Sequence, residues 1–339
     1  MPDDRKALSR AFLHRAGWAG AERRFLAGDA SDRSYDRLRR ALGSAVLMDA
    51  PPGKGDDPAD FIRIAEHLRG IGLSAPAILA HDLAQGFLLI EDLGDDLFAR
   101  LIEADPARER PLYEAATDAL VHLQAHPAPP GLPDLSAGDW AEAACFATDW
   151  YAFAATGHRP DPVAFRAALT QAMRAHADGP RVLIQRDFHA ENLLWLPGRK
   201  GVARVGLLDF QLGQMGQPGY DLVSLLQDAR RAVTPATEAA MMVRFAETRG
   251  LATEDFAASY AVLGAQRALR ILGIFARLCL VAGKPRYIAM IPRVWDHLQR
   301  NLAHPALAGF AGICAAILPE PTPDVLERIA ARCGQTPMR

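Results

Sequence analysis

Cysteine is scarce. The 339 residues hold four, Cys145, Cys279, Cys314 and Cys333, and no two form a C-x-x-C pair. A disulfide framework and a zinc ribbon are both disfavoured, and free thiols in a reducing compartment are the simpler expectation. Long apolar runs are lacking too. The longest, Gly309 to Leu318, is about ten residues, against the roughly 20 that a membrane span needs. No apolar segment follows the opening Met-Pro-Asp-Asp-Arg-Lys, so the reading is a cytoplasmic protein without a signal peptide or a membrane partner. Charge of one sign is missing as well: 38 basic residues stand against 40 acidic ones, a net charge of −2. That excludes a broad phosphate-coating surface for nucleic acid and a disordered acidic chain. A small anionic ligand is still allowed, because it needs only a local site. Several nucleotide and hydrolase signatures are absent. Gly53-Lys54-Gly55 lacks the upstream glycine and the Ser/Thr of a P-loop, Gly213 to Gly219 does not fit G-x-G-x-x-G, and no G-x-S-x-G occurs.

Half of the residues are hydrophobic, and at roughly 150 residues per domain the length suggests two domains. The first hundred residues alternate. A short helix pattern covers Lys6 to Arg15. Strand-like pieces follow at Arg23–Leu26, Ser34–Leu38 and Ala45–Ala50, the first two joined by the turn residues Gly28-Asp29-Ala30-Ser31. Phe61, Ile64, Ala65 and Leu68 then fall at i, i+3, i+4, i+7, the stripe of an amphipathic helix. Strands are expected again near Ala77–His81 and Phe87–Ile90. Beyond Leu97 the pattern is helical, at Leu112–Leu123, Trp140–Ala154, Pro162–Ala177 and most of Tyr220 to the end, with three short apolar strands at Val182–Ile184, Leu193–Leu196 and Val205–Leu208. Strands first and helices after is an α+β arrangement.

The chemistry concentrates in Gln185-Arg186-Asp187-Phe188-His189-Ala190-Glu191-Asn192, a polar loop between two apolar strands. Seventeen residues after Asn192, Asp209 follows two leucines at a strand end, where a carboxylate is costly to bury without a partner. An Asp, an Asn and a second Asp on neighbouring strand ends suit phosphoryl transfer: one carboxylate takes the acceptor's proton, while an amide oxygen and the other carboxylate hold Mg²⁺ on the phosphates. His122 and His126 have a metal-compatible i, i+4 spacing but no third ligand nearby, so a solvent-facing or packed pair is the better reading. Asp221 opens an apolar helix, where a carboxylate suits the free backbone N–H groups.

This order resembles the kinase-like fold of aminoglycoside phosphotransferases, choline kinases and their relatives over roughly residues 20 to 300. Asp187 and Asn192 match the catalytic-loop Asp and Asn, and Asp209 matches the metal-binding Asp of D-F-G. Several runs narrow the resemblance to bacterial anomeric N-acetylmuramate/N-acetylglucosamine kinases of cell-wall recycling. They are Gly28–Ser31, Leu47–Pro52, Gln185–His189, Tyr220–Leu226, Gln266–Phe275 and Gly283–Tyr287. The resemblance implies a two-lobed protein-kinase-like fold. A small antiparallel N-lobe with one inserted helix would occupy residues 1–94, and a larger, mainly helical C-lobe residues 95–339, with ATP and Mg²⁺ bound between them. It implies catalysis by Asp187, metal binding by Asn192 and Asp209, and nucleotide binding by Ser31 and Arg33 on the phosphate hairpin and by Glu91, Asp92 and Leu93 at the hinge. The sugar would meet His189, Glu191, Arg267 or Arg270, with contacts to neighbouring loops as the alternative for the first two and surface or salt-bridged roles for the two arginines. The competing readings are an aminoglycoside or amino-alcohol O-phosphotransferase and a nucleotide-binding pseudokinase. One departure bears on the chemistry: Met48 occupies the third-strand position where many kinases carry a phosphate-pairing lysine. Arg33 and Lys54 are the candidates to replace that charge. Gln185 and Gln211 stand where the pattern often has His and Gly.

Overall fold

The computed structural model describes residues 2–28 and 33–336. In chain order the elements are α1 (Pro2–Arg15), β1 (Glu22–Gly28), β2 (Ser34–Arg40), β3 (Gly43–Asp49), α2 (Pro58–Gly70), β4 (Ile78–Asp82), β5 (Phe87–Glu91), α3 (Phe98–Ala104), α4 (Glu109–Gln124), α5 (Ala137–Ala144), α6 (Phe153–Thr156), α7 (Val163–His176), β6 (Val182–Ile184), β7 (Leu193–Trp195), β8 (Val205–Leu207), β9 (Gln214–Gly216), α8 (Tyr220–Leu226), α9 (Pro235–Arg249), α10 (Thr253–Leu280), α11 (Ile291–Leu302), α12 (Ala308–Ile317) and α13 (Pro323–Ala331). The expected α+β order is present: an antiparallel five-stranded sheet first, helices after it.

By packing, the chain divides into two compact units. One holds Met1–Leu132 and Gln185–Gln214; the other holds Pro133–Ile184 and Met215–Arg339. The first unit is built on the sheet β1-β2-β3-β5-β4. Its central strand β3 is apolar without alternation because both of its faces are covered. Ala45 and Leu47 join Leu38, Phe87 and Leu89 in a cluster closed by Phe12, Leu13 and Trp18 from α1 and the segment after it. The alternate residues Val46 and Met48 are buried as well. Helix α2 starts where Asp57 accepts a hydrogen bond from Ala59 N (2.9 Å), and it buries the expected stripe Phe61, Ile64, Ala65 and Leu68. The β4–β5 turn depends on Gly86. Its φ is +69°, and a Cβ there would lie 1.9 Å from the Ala50 carbonyl oxygen.

The second unit is helical apart from β6 and β9, which pair with each other. The run read from sequence as one helix over Trp140–Ala154 is instead interrupted: α5 ends at Ala144, a π-turn occupies Ala147–Ala152, and α6 resumes. Helix α10 passes close to the start of that turn at Gly273, where a Cβ would come 2.2 Å from Phe146 backbone atoms. The cysteines are free. Burial pushes the Cys145, Cys279 and Cys314 thiols up to about 12, so they are poor nucleophiles. Of the two expected readings, solvent-facing or packed, His122 and His126 take the packed one: His122 Nε2 meets Ile71 O at 2.6 Å and His126 Nδ1 meets His122 O at 2.8 Å. Among the described residues no helix is long and apolar enough to cross a membrane.

Candidate active site

The site is assembled on the hairpin β7–β8, inside the first unit. Leu193 pairs with Leu207. One step further out, Leu208 N donates to Asn192 O at 3.0 Å. That register brings Asn192 alongside the residue before Asp209, although the two are seventeen positions apart in sequence. The hairpin is held on both sides. Leu207 N donates to Ser74 O (2.8 Å) and Ser74 Oγ to Ala203 O (2.6 Å). Trp195 N donates to Asp96 O (2.8 Å), and Ala99 N to Ala190 O in the loop before β7 (3.0 Å).

Two non-glycine residues have left-handed backbone conformations among those described, Arg186 (φ 72°) and Asp209 (φ 55°). Each lies at or beside a residue expected to carry chemistry, which is where such strain tends to be retained. Asp187 is partly exposed, and its backbone carbonyl accepts a hydrogen bond from Asn192 Nδ2 at 2.9 Å. The amide's donor end is thus spent on closing the loop, and its Oδ1 is the end that can face a cation. Asp209 keeps 39% of its side chain exposed. Its Oδ1 accepts from Gln211 Nε2 at 2.8 Å. Gln211 therefore does something glycine could not: it fixes the carboxylate rotamer. Phe210 turns inward, its ring 4.8 Å from that of Phe61 on α2.

Hard oxygen donors from one carboxylate and one amide suit Mg²⁺, which commonly takes one or two protein ligands and completes its shell with phosphate oxygens and water. Among the described residues no group of three His, Cys, Asp or Glu side chains forms a self-contained metal cage.

Of the expected nucleotide-binding residues, Ser31 lies outside the described residues. Arg33 is buried, with Nη2 3.5 Å from Asp209 Oδ1 and 3.5 Å from Asp56 Oδ2. Lys54, the other candidate cation, is exposed. Met48 is fully buried in the sheet. The Glu91 carboxylate is engaged structurally, by Arg199 Nη2 (2.5 Å), Arg69 Nη1 (3.4 Å) and Ala77 N (3.1 Å). Asp92 pairs with Arg37 Nε at 2.9 Å and caps Gly94 N at 3.1 Å. Leu93 follows in the same connecting segment. Side chains here shape the segment, leaving its backbone as what a base could meet.

The expected sugar contacts scatter. His189 is 3% exposed, its Nε2 3.5 Å from Asn192 Nδ2, so it lies against the metal-ligand candidate. Glu191 is exposed at the loop surface. Arg267 and Arg270 belong to the second unit. There Arg267 is buried on α10 and donates to Ser224 Oγ of α8 at 2.8 Å, while Arg270 is partly exposed. Asp221 is fully buried in the first turn of α8. Two residues were not singled out for these roles from sequence, Gln211 as the Asp209 orienter and Asp56 as an Arg33 partner. The one signal for Asp56 was an acidic residue in a Gly/Pro-rich loop directly before a helix cap.

Comparison with known proteins gives the family. The chain is 40% identical to an N-acetylmuramate/N-acetylglucosamine kinase of Caulobacter vibrioides, over 91% of this chain and 95% of that protein. It is 32% identical to a protein of the same name from Pseudomonas aeruginosa, over 85% and 86%. The fold matches the crystal structure of a choline/ethanolamine kinase family protein from Mesorhizobium loti with a TM-score of 0.60 at 15% identity, covering 96% of this chain and 99% of that one. The sequence pattern of the Phosphotransferase enzyme family matches residues 22–260, and the chain belongs to that family.

Proposed function

We propose that this ATP-dependent phosphotransferase is an amino-sugar kinase acting on the anomeric hydroxyl of N-acetylmuramate and N-acetylglucosamine, as in the recycling of cell-wall sugars. The observation that carries the substrate class is the 40% identity, over nearly the full length of both chains, to a kinase named for those two sugars. The side chains around β7–β8 supply the chemistry. Asp187 accepts the proton of the attacking hydroxyl, a role worth on the order of 10²–10⁴-fold in rate. Asn192 Oδ1 and Asp209 hold Mg²⁺, which when bound neutralises charge on the phosphate oxygens. Gln211 keeps Asp209 in the binding rotamer. His189 keeps Asn192 in place. The backbone of Glu91–Leu93 serves as the adenine-binding hinge, at the end of an N-lobe comprising residues 1–94, with 95–339 as the C-lobe.

The test is to incubate the protein with MgATP and, separately, N-acetylmuramate, N-acetylglucosamine, kanamycin and choline, following ADP. Sugar-dependent ADP with an acid-labile anomeric phosphate is expected. ADP formed only with kanamycin or choline moves the acceptor to an aminoglycoside or amino alcohol, and silence on all four points to a pseudokinase. Asp187→Asn should keep nucleotide binding and lose turnover by at least about 10²-fold. Full activity in that variant would remove Asp187 from the mechanism.

A further inference from the structure

Cysteines are few in this chain, and two of them meet. Cys279 lies in the last turn of α10, and Cys333 follows the end of α13, 54 positions later. Both belong to the second unit. Their backbones are in direct contact: Gly334 N donates to Cys279 O at 3.0 Å, and Thr336 N to Leu280 O at 3.1 Å. The side chains cross over between the two segments. Cys333 Sγ donates to Cys279 O at 3.2 Å, and Cys279 Sγ reaches Ile329 O, one turn before Cys333, at 3.7 Å. Burial first, and after it a hydrogen bond to the Cys333 side chain, push the Cys279 thiol up to about 12. Each thiol therefore faces the other segment, and the two touch.

The segment carrying Cys333 is fixed from its other side as well. Arg332 Nη1 donates to Phe153 O at 2.7 Å and to Ala154 O at 3.2 Å, and Arg328 Nε donates to Ala155 O at 3.0 Å. These bonds satisfy carbonyls of α6 that have no partner within so short a helix. A disulfide spans only a short distance between backbones, so both strands of chain must be in place before the sulfurs can join. Here they are in place while the thiols are free. The two sulfurs differ in access: Cys279 is fully buried and Cys333 is partly exposed. A reagent from solvent meets Cys333 first.

We propose that Cys279 and Cys333 form a thiol–disulfide site, closed by a low-molecular-weight disulfide and reopened by a thiol reductant, whose closure fastens the C-terminal segment to α10. In the first step the Cys333 thiolate attacks one sulfur of the small disulfide. That S–S bond breaks, one small thiolate leaves, and a mixed disulfide forms on Cys333. In the second step Cys279, its proton given up to solvent, attacks the Cys333 sulfur and expels the other small thiolate. Each leaving thiolate takes up one proton. In balance, two protein thiols are oxidised to one disulfide and one small disulfide is reduced to two thiols. Cys145 and Cys314 are buried and take no part. The new bond closes a long loop, which restricts the unfolded chain far more than the folded one.

The folded wild-type protein, incubated with oxidised glutathione and quenched with acid, tests this by intact mass and peptide mapping. The expected product has lost two hydrogens, yields a linked peptide pair holding Cys279 and Cys333, and returns to the free thiols with dithiothreitol. Passage from the mixed disulfide to the internal one should quicken about tenfold per pH unit from pH 7 to 9, following the thiolate fraction of Cys279. Cys279→Ser should stop with one glutathione on Cys333, and Cys333→Ser should leave Cys279 unmodified. The linked protein should melt a few degrees above the reduced one. A wild type that stays unreacted, that keeps glutathione on Cys333 without closing, or that links a different pair would overturn the proposal, and none of these results depends on a variant folding. A melting temperature unchanged by closure would overturn the fastening role.

Discussion

Acid sensitivity in the second unit can be worked from one histidine. His297 lies on α11, and its Nδ1 accepts from Arg300 Nη2 at 2.8 Å. Arg300 Nη1 also reaches Glu238 Oε2 at 2.8 Å, and Tyr260 OH donates to Glu238 Oε1 at 2.9 Å. The Glu238 carboxylate is therefore shared by Arg300 and Tyr260. Burial, and after it the Arg300 charge, pulls His297 from 6.5 down to about 4. The unfolded chain takes up this proton near pH 6.5, and the folded chain resists it until about pH 4. The stability tied to neutral His297 is thus complete above 6.5 and is lost as pH falls from 6.5 through about 4. At 1.36 kcal/mol per unit the full loss is on the order of 3 kcal/mol, of which about 2 kcal/mol is gone by pH 5. His297→Gln cannot take up the proton, yet its amide oxygen can still accept from Arg300. Urea denaturation of both proteins at pH 7.5, 6 and 5 isolates the effect, since other titrating groups cancel in the difference. Wild type should lose about 2 kcal/mol relative to His297→Gln between pH 7.5 and 5. A difference independent of pH would refute the argument that this imidazole is held neutral.

Gln211→Ala removes the 2.8 Å hydrogen bond to Asp209. A bond to a charged acceptor is worth about 1.5–3 kcal/mol, so the Mg²⁺ needed for half-maximal ADP formation should rise roughly tenfold or more, read by titrating the metal at fixed ATP. Gly86→Ala forces a Cβ against the Ala50 carbonyl at a backbone angle that L-residues rarely adopt, and should lower unfolding free energy by about 2–5 kcal/mol, measured by chemical denaturation.

The elements whose physics is local could be read from the chain. The stripe Phe61, Ile64, Ala65, Leu68 and the apolar run Ala45–Met48 became α2 and β3 because burial on one face or on two leaves a pattern in a short window. The candidates Asp187, Asn192 and Asp209 stand out in the sequence for a related reason: few residue types suit phosphoryl transfer, and the short β7–β8 hairpin brings Asn192 alongside Leu208. What was hidden depends on backbone detail or on distance along the chain. The π-turn at Ala147–Ala152 keeps apolar residues facing inward, so the periodicity runs through it without a break. The Glu91 carboxylate looks like a hinge group from its neighbours, yet Arg199, 108 residues away, engages it. Asp56 carries no periodic signal at all, and only the fold shows that it meets Arg33.

The near-zero net charge takes on a local meaning in this light. Several arginines of the first unit already have a carboxylate: Arg5 with Asp49, Arg15 with Asp82, Arg23 with Asp36, Arg37 with Asp92 and Asp95. Such pairs leave little surplus field to attract a polyanion from a distance. Arg33 too has carboxylates beside it, Asp56 and Asp209, each 3.5 Å from its Nη2. A balanced chain that carries the sequence pattern of a phosphotransferase therefore has to meet its anionic nucleotide at one local site, not through a basic surface.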